Sequence, residues 1–131
     1  MEDNICLDTD FLVNFLRNKK EEREFIGNNE EKSNLATTYI NVFELFYGAY
    51  KSNEHENNVK AVKELINRLY ILNLSEESSR KAGEILTRLE KEGNLVDFRD
   101  LLIGVIALTN NFSIKTNNVK HFSKIKELTV L

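Results

Sequence analysis

Four short segments of the chain set carboxylates among apolar or turn-forming neighbours: Ile5-Cys6-Leu7-Asp8-Thr9-Asp10, Phe43-Glu44-Leu45-Phe46, Val96-Asp97 and Arg99-Asp100-Leu101-Leu102-Ile103. An isolated buried charge is costly, so each of these acids must be paired, protonated or bound to a cation. Carboxylates brought together repel one another, and a hard divalent cation is their natural counter-charge. Magnesium takes oxygen ligands and keeps several waters, binding through one or two carboxylates plus phosphate oxygens, and manganese suits similar ligands. Beside a phosphodiester such an ion polarises the phosphoryl oxygen and lowers the pKa of a water. The chemistry open to these residues is metal-assisted phosphodiester hydrolysis.

The elements that must position them alternate. Asn4 to Asp8 reads as a short buried strand, after which Phe11, Leu12, Phe15 and Leu16 recur at helical spacing. Leu35-Ala36-Thr37 is a second strand, followed by Thr38 as N-cap of a helix carrying Ile40, Val42, Phe43, Phe46, Tyr47 and Tyr50. Val59, Val62, Leu65, Ile66 and Leu69 mark a further amphipathic helix, and Tyr70 to Leu74 a third strand. Ser75 caps a helix that runs to Glu92 and stops at Gly93. Asp97 opens the next helix, whose run of Leu101, Leu102, Val105, Ile106, Ala107 and Leu108 predicts the most buried helix of the fold. Phe112 to Lys115 reads as a fourth strand, Val119 to Lys126 as a short helical or irregular stretch, and Leu128 to Leu131 as a weak terminal strand. Residues 17–34 and 51–58 are polar and read as mobile surface connections. The alternation predicts an α/β fold: one domain over residues 1–131, three-layer α/β/α, with a mostly parallel central sheet of four to five strands.

In such a sheet the ligand crevice lies outside the carboxyl ends of the strands. Asp8 ends the first strand and faces that crevice, and the Thr9 hydroxyl is placed to cap the following helix. Asp10 falls in the helix's first turn, where helix capping and a site role are both open. Glu44 either emerges at the edge of an amphipathic face or joins the other acids. Asp97 and Asp100 share the spacing of a capping box, so Asp97 reads as a cap first, and Asp100 as a site residue. Gly104, inside the apolar helix, indicates close approach of a neighbouring element.

Composition narrows the classes. A chain of 131 residues with 41% hydrophobic residues has material for a core, and a net charge of −3 with 30% charged residues describes neither a basic nucleic-acid coat nor an acidic tail. Lys115, Lys120, Lys124 and Lys126 read as solvated surface. The single cysteine, Cys6, excludes an intrachain disulfide or Cys-based zinc site and reads as a small buried hydrophobe. The segment beginning Met1-Glu2-Asp3-Asn4 lacks a signal-peptide layout, and no apolar run approaches a membrane span, so a soluble, cytoplasmic protein with no membrane partner is expected. His55 and His121 lack a metal-ligand spacing and read as surface or packing residues. Tyr39, Tyr47, Tyr50 and Tyr70 could stack bases; the first three, at helical spacing, read as packing against a neighbouring helix or a dimer mate.

Leu7-Asp8-Thr9-Asp10-Phe11-Leu12, Asn41-Val42-Phe43-Glu44-Leu45-Phe46-Tyr47-Gly48-Ala49, Asp100-Leu101-Leu102-Ile103-Gly104-Val105-Ile106-Ala107, and Thr116-Asn117-Asn118 with His121-Phe122 follow one another along the chain. Together they resemble the successive motifs of PIN-domain ribonucleases of the VapC toxin type. The resemblance implies a metal-dependent endoribonuclease acting on RNA, held inactive by a cognate antitoxin protein and often a homodimer. It implies Asp8, Glu44 and Asp100 as catalytic Mg2+ or Mn2+ ligands. A fourth acid is frequent after the fourth strand, where this chain has Asn117 and Asn118; Asp97 is a candidate to supply that charge. Thr9, Asp10, Thr116, Asn117 and Asn118 are supporting candidates. Two other readings stand beside it: a haloacid-dehalogenase-like phosphatase using Asp8 as nucleophile, and a catalytically weak PIN-like binding module.

Overall fold

A computed structural model describes residues 3–131. Its strands are β1 (Asp3–Leu7), β2 (Ser33–Thr38), β3 (Tyr70–Leu72) and β4 (Ser113–Lys115). The helices are α1 (Thr9–Leu16), α2 (Lys20–Asn29), α3 (Tyr39–Lys51), α4 (His55–Ile66), α5 (Glu76–Lys91), α6 (Phe98–Thr109) and α7 (Val119–Phe122). All strand pairs are parallel, in the order β3-β2-β1-β4. The first strand of the chain therefore lies inside the sheet, and its successors were laid down on both sides of it.

Side chains alternate across a strand, so β1 feeds two cores. Ile5 and Leu7 pack with Leu35 of β2 and with Phe11, Leu12, Ile26, Leu45 and Val62 from α1 to α4. Cys6 faces the other way, with Ile85, Leu89, Leu101, Ile103, Val105 and Phe122. This is the three-layer α/β/α arrangement. Helix α6 is its most covered helix, with Ile103, Val105, Ile106 and Ala107 fully buried. Burial of Cys6 pushes its thiol pKa up, and the neighbouring Asp8 charge adds to the shift, so the thiol stays protonated and inert.

Local signals set the helix ends. The Thr38 hydroxyl accepts from the Asn41 N–H while the Asn41 side chain accepts from the Thr38 N–H, and Ser75 and Ser78 repeat that reciprocal box on α5. At the far end of α5, Gly93 takes φ +67°, where a glycine carries no Cβ penalty, and Asn94 N–H returns to Leu89 C=O.

Three expectations need correction. Residues 17–34 are not a surface connection: α2 occupies their middle, because Ile26 and Phe25 form a short apolar stripe among good helix formers. Phe25 meets Phe11 edge to face at 5.4 Å. Residues 51–58 are likewise mostly helical, with only a turn at 52–54 before α4 starts at His55. The terminal strand shrinks to a single parallel bridge, Ile114 to Val130, with the Ile114 N–H donating to Thr129 C=O and the Leu131 N–H to Ile114 C=O.

Gly104 meets the C-terminal segment. A Cβ built there would lie 2.6 Å from Ile125 Cδ1 and 3.2 Å from Leu128 Cδ2. No described helix is long and apolar enough to cross a membrane.

Candidate active site

Strand β1 delivers Asp8 to the carboxyl edge of the sheet, as the extended N-cap residue of α1. Asp8 is 6% exposed, and each of its oxygens is held by a different element. Asn41 Nδ2 donates to Oδ1 at 3.1 Å from the start of α3, and Thr116 Oγ1 donates to Oδ2 at 2.8 Å from the end of β4. Thr116 in turn accepts from the Asn118 N–H at 2.9 Å, so one hydroxyl serves both the turn and the acid.

Thr9 does not cap α1. Its hydroxyl donates to Glu44 Oε1 at 2.7 Å and accepts from Asn41 Nδ2 at 2.8 Å, because α3 packs across the start of α1 and brings Glu44 within reach. Asp10 joins the same edge: its Oδ1 accepts from the Phe11 N–H at 2.7 Å and the Asn117 N–H at 3.4 Å. Asp97 is the N-cap of α6, accepting from the Arg99 and Asp100 N–H groups. Asp100 Oδ2 lies 3.5 Å from His121 Nδ1, which also meets Asn118 Nδ2 at 3.1 Å. A chain of polar contacts thus runs from Glu44 through Thr9, Asn41, Asp8, Thr116, Asn118 and His121 to Asp100.

Charge accumulates along that chain. Burial raises the Asp8 pKa to about 7 against the lowering pull of the Thr116 hydroxyl, with Asp10 and Asp100 adding to the rise. Asp100 is also pushed up, chiefly by burial and further by Asp97 and Asp10, while the His121 contact pulls it down. No lysine or arginine of the described residues pairs with Asp8. The donors are oxygens, with no thiolate and one imidazole at the rim. Such a set fits a hard divalent cation and the fit lies in its chemistry; among the described residues no three His, Cys, Asp or Glu side chains are gathered closely enough to hold a metal ion as they stand. Glu44 Oε2 faces Arg99 Nη1 at 3.5 Å instead.

Four residues here escaped the sequence reading. Asn41 is fully buried and holds both Asp8 and Thr9; the Thr38-to-Asn41 capping spacing was its signal. Glu22 on α2 was hidden in a polar stretch. It is 5% exposed yet lies just under the surface, so the Asn14 amide at 2.9 Å outweighs desolvation and holds its carboxyl below the usual range. Asn117 Nδ2 reaches the same oxygen at 3.4 Å, tying the loop after β4 to α2. Arg99, to which the sequence assigned no role, and His121, read as a surface or packing residue, touch Glu44 and Asp100 respectively. The aromatic residues Tyr39, Tyr47 and Tyr50 are 55%, 53% and 64% exposed, so no helix of the same protomer covers them.

Beside Glu44, an apolar groove lined by Val13, Leu16, Leu45, Gly48, Ala61 and Val62 runs between α1, α3 and α4. A separate cleft at the amino ends of β2 and β3, with the Arg68–Glu30 ion pair, contains none of the candidate acids.

The profile of one protein family, the PIN domain, matches residues 5–128. The chain is 35% identical over 98 residues to Ribonuclease VapC2 of Rickettsia felis, covering 75% of this chain and 73% of that protein. It is 30% identical over 125 residues to the tRNA(fMet)-specific endonuclease VapC of Salmonella typhimurium, covering 95% and 93%. Among solved structures, VapBC2 from Rickettsia felis bound to a DNA fragment from its promoter superposes with TM-score 0.90 at 28% identity, over 97% of this chain and 96% of that one. DNA-bound VapBC from Salmonella typhimurium gives the same TM-score, 0.90, and identity, 28%, over 100% and 98%.

Proposed function

The chain belongs to the PIN-domain family, and from that premise we propose that it is the endoribonuclease toxin of a toxin–antitoxin pair, hydrolysing RNA phosphodiester bonds with a divalent cation. The observation that carries this reading is the polar chain at the carboxyl edge of the sheet, which ties Asp8 to Glu44 through Asn41 and Thr9, and to Asp100 through Thr116, Asn118 and His121. Relatives named as ribonucleases and a tRNA endonuclease support the reaction, and the similar VapBC structures support an antitoxin partner.

Asp8, Glu44 and Asp100 would hold a magnesium or manganese ion, with Asp97, Asn117 or Asn118 completing the set. When bound, that ion supplies Lewis acidity toward the phosphoryl group and activates water. The protein's own part is positioning. Asn41 and Thr116 fix the two oxygens of Asp8 and Thr9 fixes one oxygen of Glu44, so these two acids have little rotamer freedom left to lose when they and Asp100 draw together on the cation. Asn117 and Asn118 contribute neutral amides where a charge would add to the repulsion around Asp8. The phosphatase reading is disfavoured, since the chain matches the PIN-domain family and relatives named as a ribonuclease and a tRNA endonuclease. The groove beside Glu44 would receive an apolar antitoxin segment.

The test is cleavage of RNA with Mg2+ or Mn2+ by wild type and by Asp8→Asn, Glu44→Gln and Asp100→Asn, each checked for folding by circular dichroism. Each substitution is expected to lower the rate at least about a hundredfold, the scale of losing one preorganised charged group. Full activity in all three would sink the assignment. Wild type that neither binds Mn2+ nor cuts RNA would leave the binding-module reading.

A further inference from the structure

Arg99 is the one lysine or arginine among the described residues that pairs with a carboxylate of the candidate site, and it does so loosely. Its Nη1 lies 3.5 Å from Glu44 Oε2, and its side chain is 53% exposed. The chain builds arginine pairs quite differently elsewhere: Arg68 and Arg88 each grip a glutamate with two hydrogen bonds of 2.8 to 3.0 Å. A loose, exposed ion pair is worth little and can be exchanged at little cost.

The two ends of this contact are anchored independently. Glu44 Oε1 is held by the Thr9 hydroxyl, so the carboxylate keeps its place when the guanidinium leaves. The Arg99 N–H is held by Asp97 in the first turn of α6, so its backbone is fixed and only the exposed side chain has to move. Around it stand Glu44, Asp97 and Asp100, a negative setting that a polyanion meets only with a counter-charge. A guanidinium offers a planar fork of donors that matches phosphate oxygens.

We propose that Arg99 is a phosphate-binding residue for RNA, parked on Glu44 in the free protein and exchanged onto a substrate phosphate. This rests on the metal-dependent ribonuclease reading. Glu44 Oε2 is then contested: Arg99 holds the oxygen that a cation would use. Removing Arg99 therefore acts in opposite directions on the two ligands, which general damage to the site would not do.

The experiment compares wild type, Arg99→Gln, Arg99→Lys and Arg80→Gln. Arg80→Gln removes one exposed positive charge on α5 and controls for net charge. Isothermal titration with Mn2+ alone is expected to show about two- to fivefold tighter binding for Arg99→Gln, the scale of one exposed ion pair. Steady-state cleavage of a labelled transfer-RNA pool is expected to show KM raised about tenfold with kcat changed less than about twofold, as loss of a charged hydrogen bond to substrate predicts. Arg99→Lys should lie between, because it keeps the charge and loses the fork. Mn2+ affinity that is unchanged or weaker in Arg99→Gln, or an unchanged KM, overturns the role of Arg99 alone. Wild type with neither Mn2+ binding nor cleavage overturns the ribonuclease reading and this role with it.

Discussion

The Thr116 hydroxyl donates to Asp8 Oδ2 at 2.8 Å, joining the ends of β4 and β1 across 108 positions of sequence. With Asn41 on the other oxygen, it holds a carboxyl group that burial would otherwise expel or protonate. The fold thus retains an acid in an unfavourable place and fixes its direction, giving up stability at a site kept for function.

The sign of that cost can be measured in EDTA. The Asp8 carboxyl titrates near 3.8 when unfolded and about 7 when folded, so its ionisation opposes folding at pH 8, and the penalty fades as pH falls from 7 toward 4. Asp8→Asn is expected to stabilise the metal-free protein by about 1–3 kcal/mol at pH 8 and by about nothing at pH 4. Denaturant midpoints at the two pH values decide it. A variant less stable than wild type at pH 8 would contradict the account.

Asn117 stands between two carboxylates, with its amide 3.4 Å from Glu22 and its N–H 3.4 Å from Asp10. Introducing an acid with Asn117→Asp sets like charges face to face, and a loss of about 1–2 kcal/mol is expected in EDTA. Adding Glu22→Gln should recover most of it, since the new amide can donate to the new carboxylate. A double-mutant cycle with no coupling would show that the contact carries no weight.

Gly104 lets α6 lie against the C-terminal segment. Gly104→Ala gains about 1 kcal/mol of helix propensity but overpacks against Ile125 and Leu128, at about 1–3 kcal/mol, so a small net loss is expected. Ile125→Val removes the methyl at 2.6 Å and should turn the double variant's deficit, relative to Ile125→Val alone, into a gain. Thermal melts of the four proteins test this.

Tyr39, Phe43, Tyr47 and Tyr50 recur on one exposed flank of α3, with Phe43 and Tyr47 stacked at 6.1 Å. If this flank covers a second protomer, light scattering should give a dimer mass for wild type and a monomer for Phe43→Glu with Tyr47→Glu. Both are exposed, so monomer stability should change by about 0.5 kcal/mol or less per site. A dimer that survives both changes moves the interface elsewhere.

Much of the architecture was legible in the order of residues. Thr38, Ser75 and Asp97 announce helix starts through their own hydrogen-bonding chemistry, and Gly93 a helix end. The strand-helix alternation implied a parallel sheet because parallel strands require crossovers. Helix α2 was obscured because two apolar residues carry its burial, and Glu22 because a buried charge leaves no periodic trace. The terminal strand failed because one bridge to Ile114 needs no strand-like run.

The sequence by itself determined which acids stand in costly surroundings, since the apolar neighbours of Asp8, Glu44 and Asp100 are local facts. It also determined that β1 would present Asp8 at the crevice. Only the tertiary structure decided which groups meet: that Thr9 serves Glu44 and does not cap α1, that His121 approaches Asp100, and that Arg99 sits on Glu44. Periodicity reports which face of an element is buried. It carries no information on which polar side chain of another element arrives there, because that depends on strand order and crossover packing.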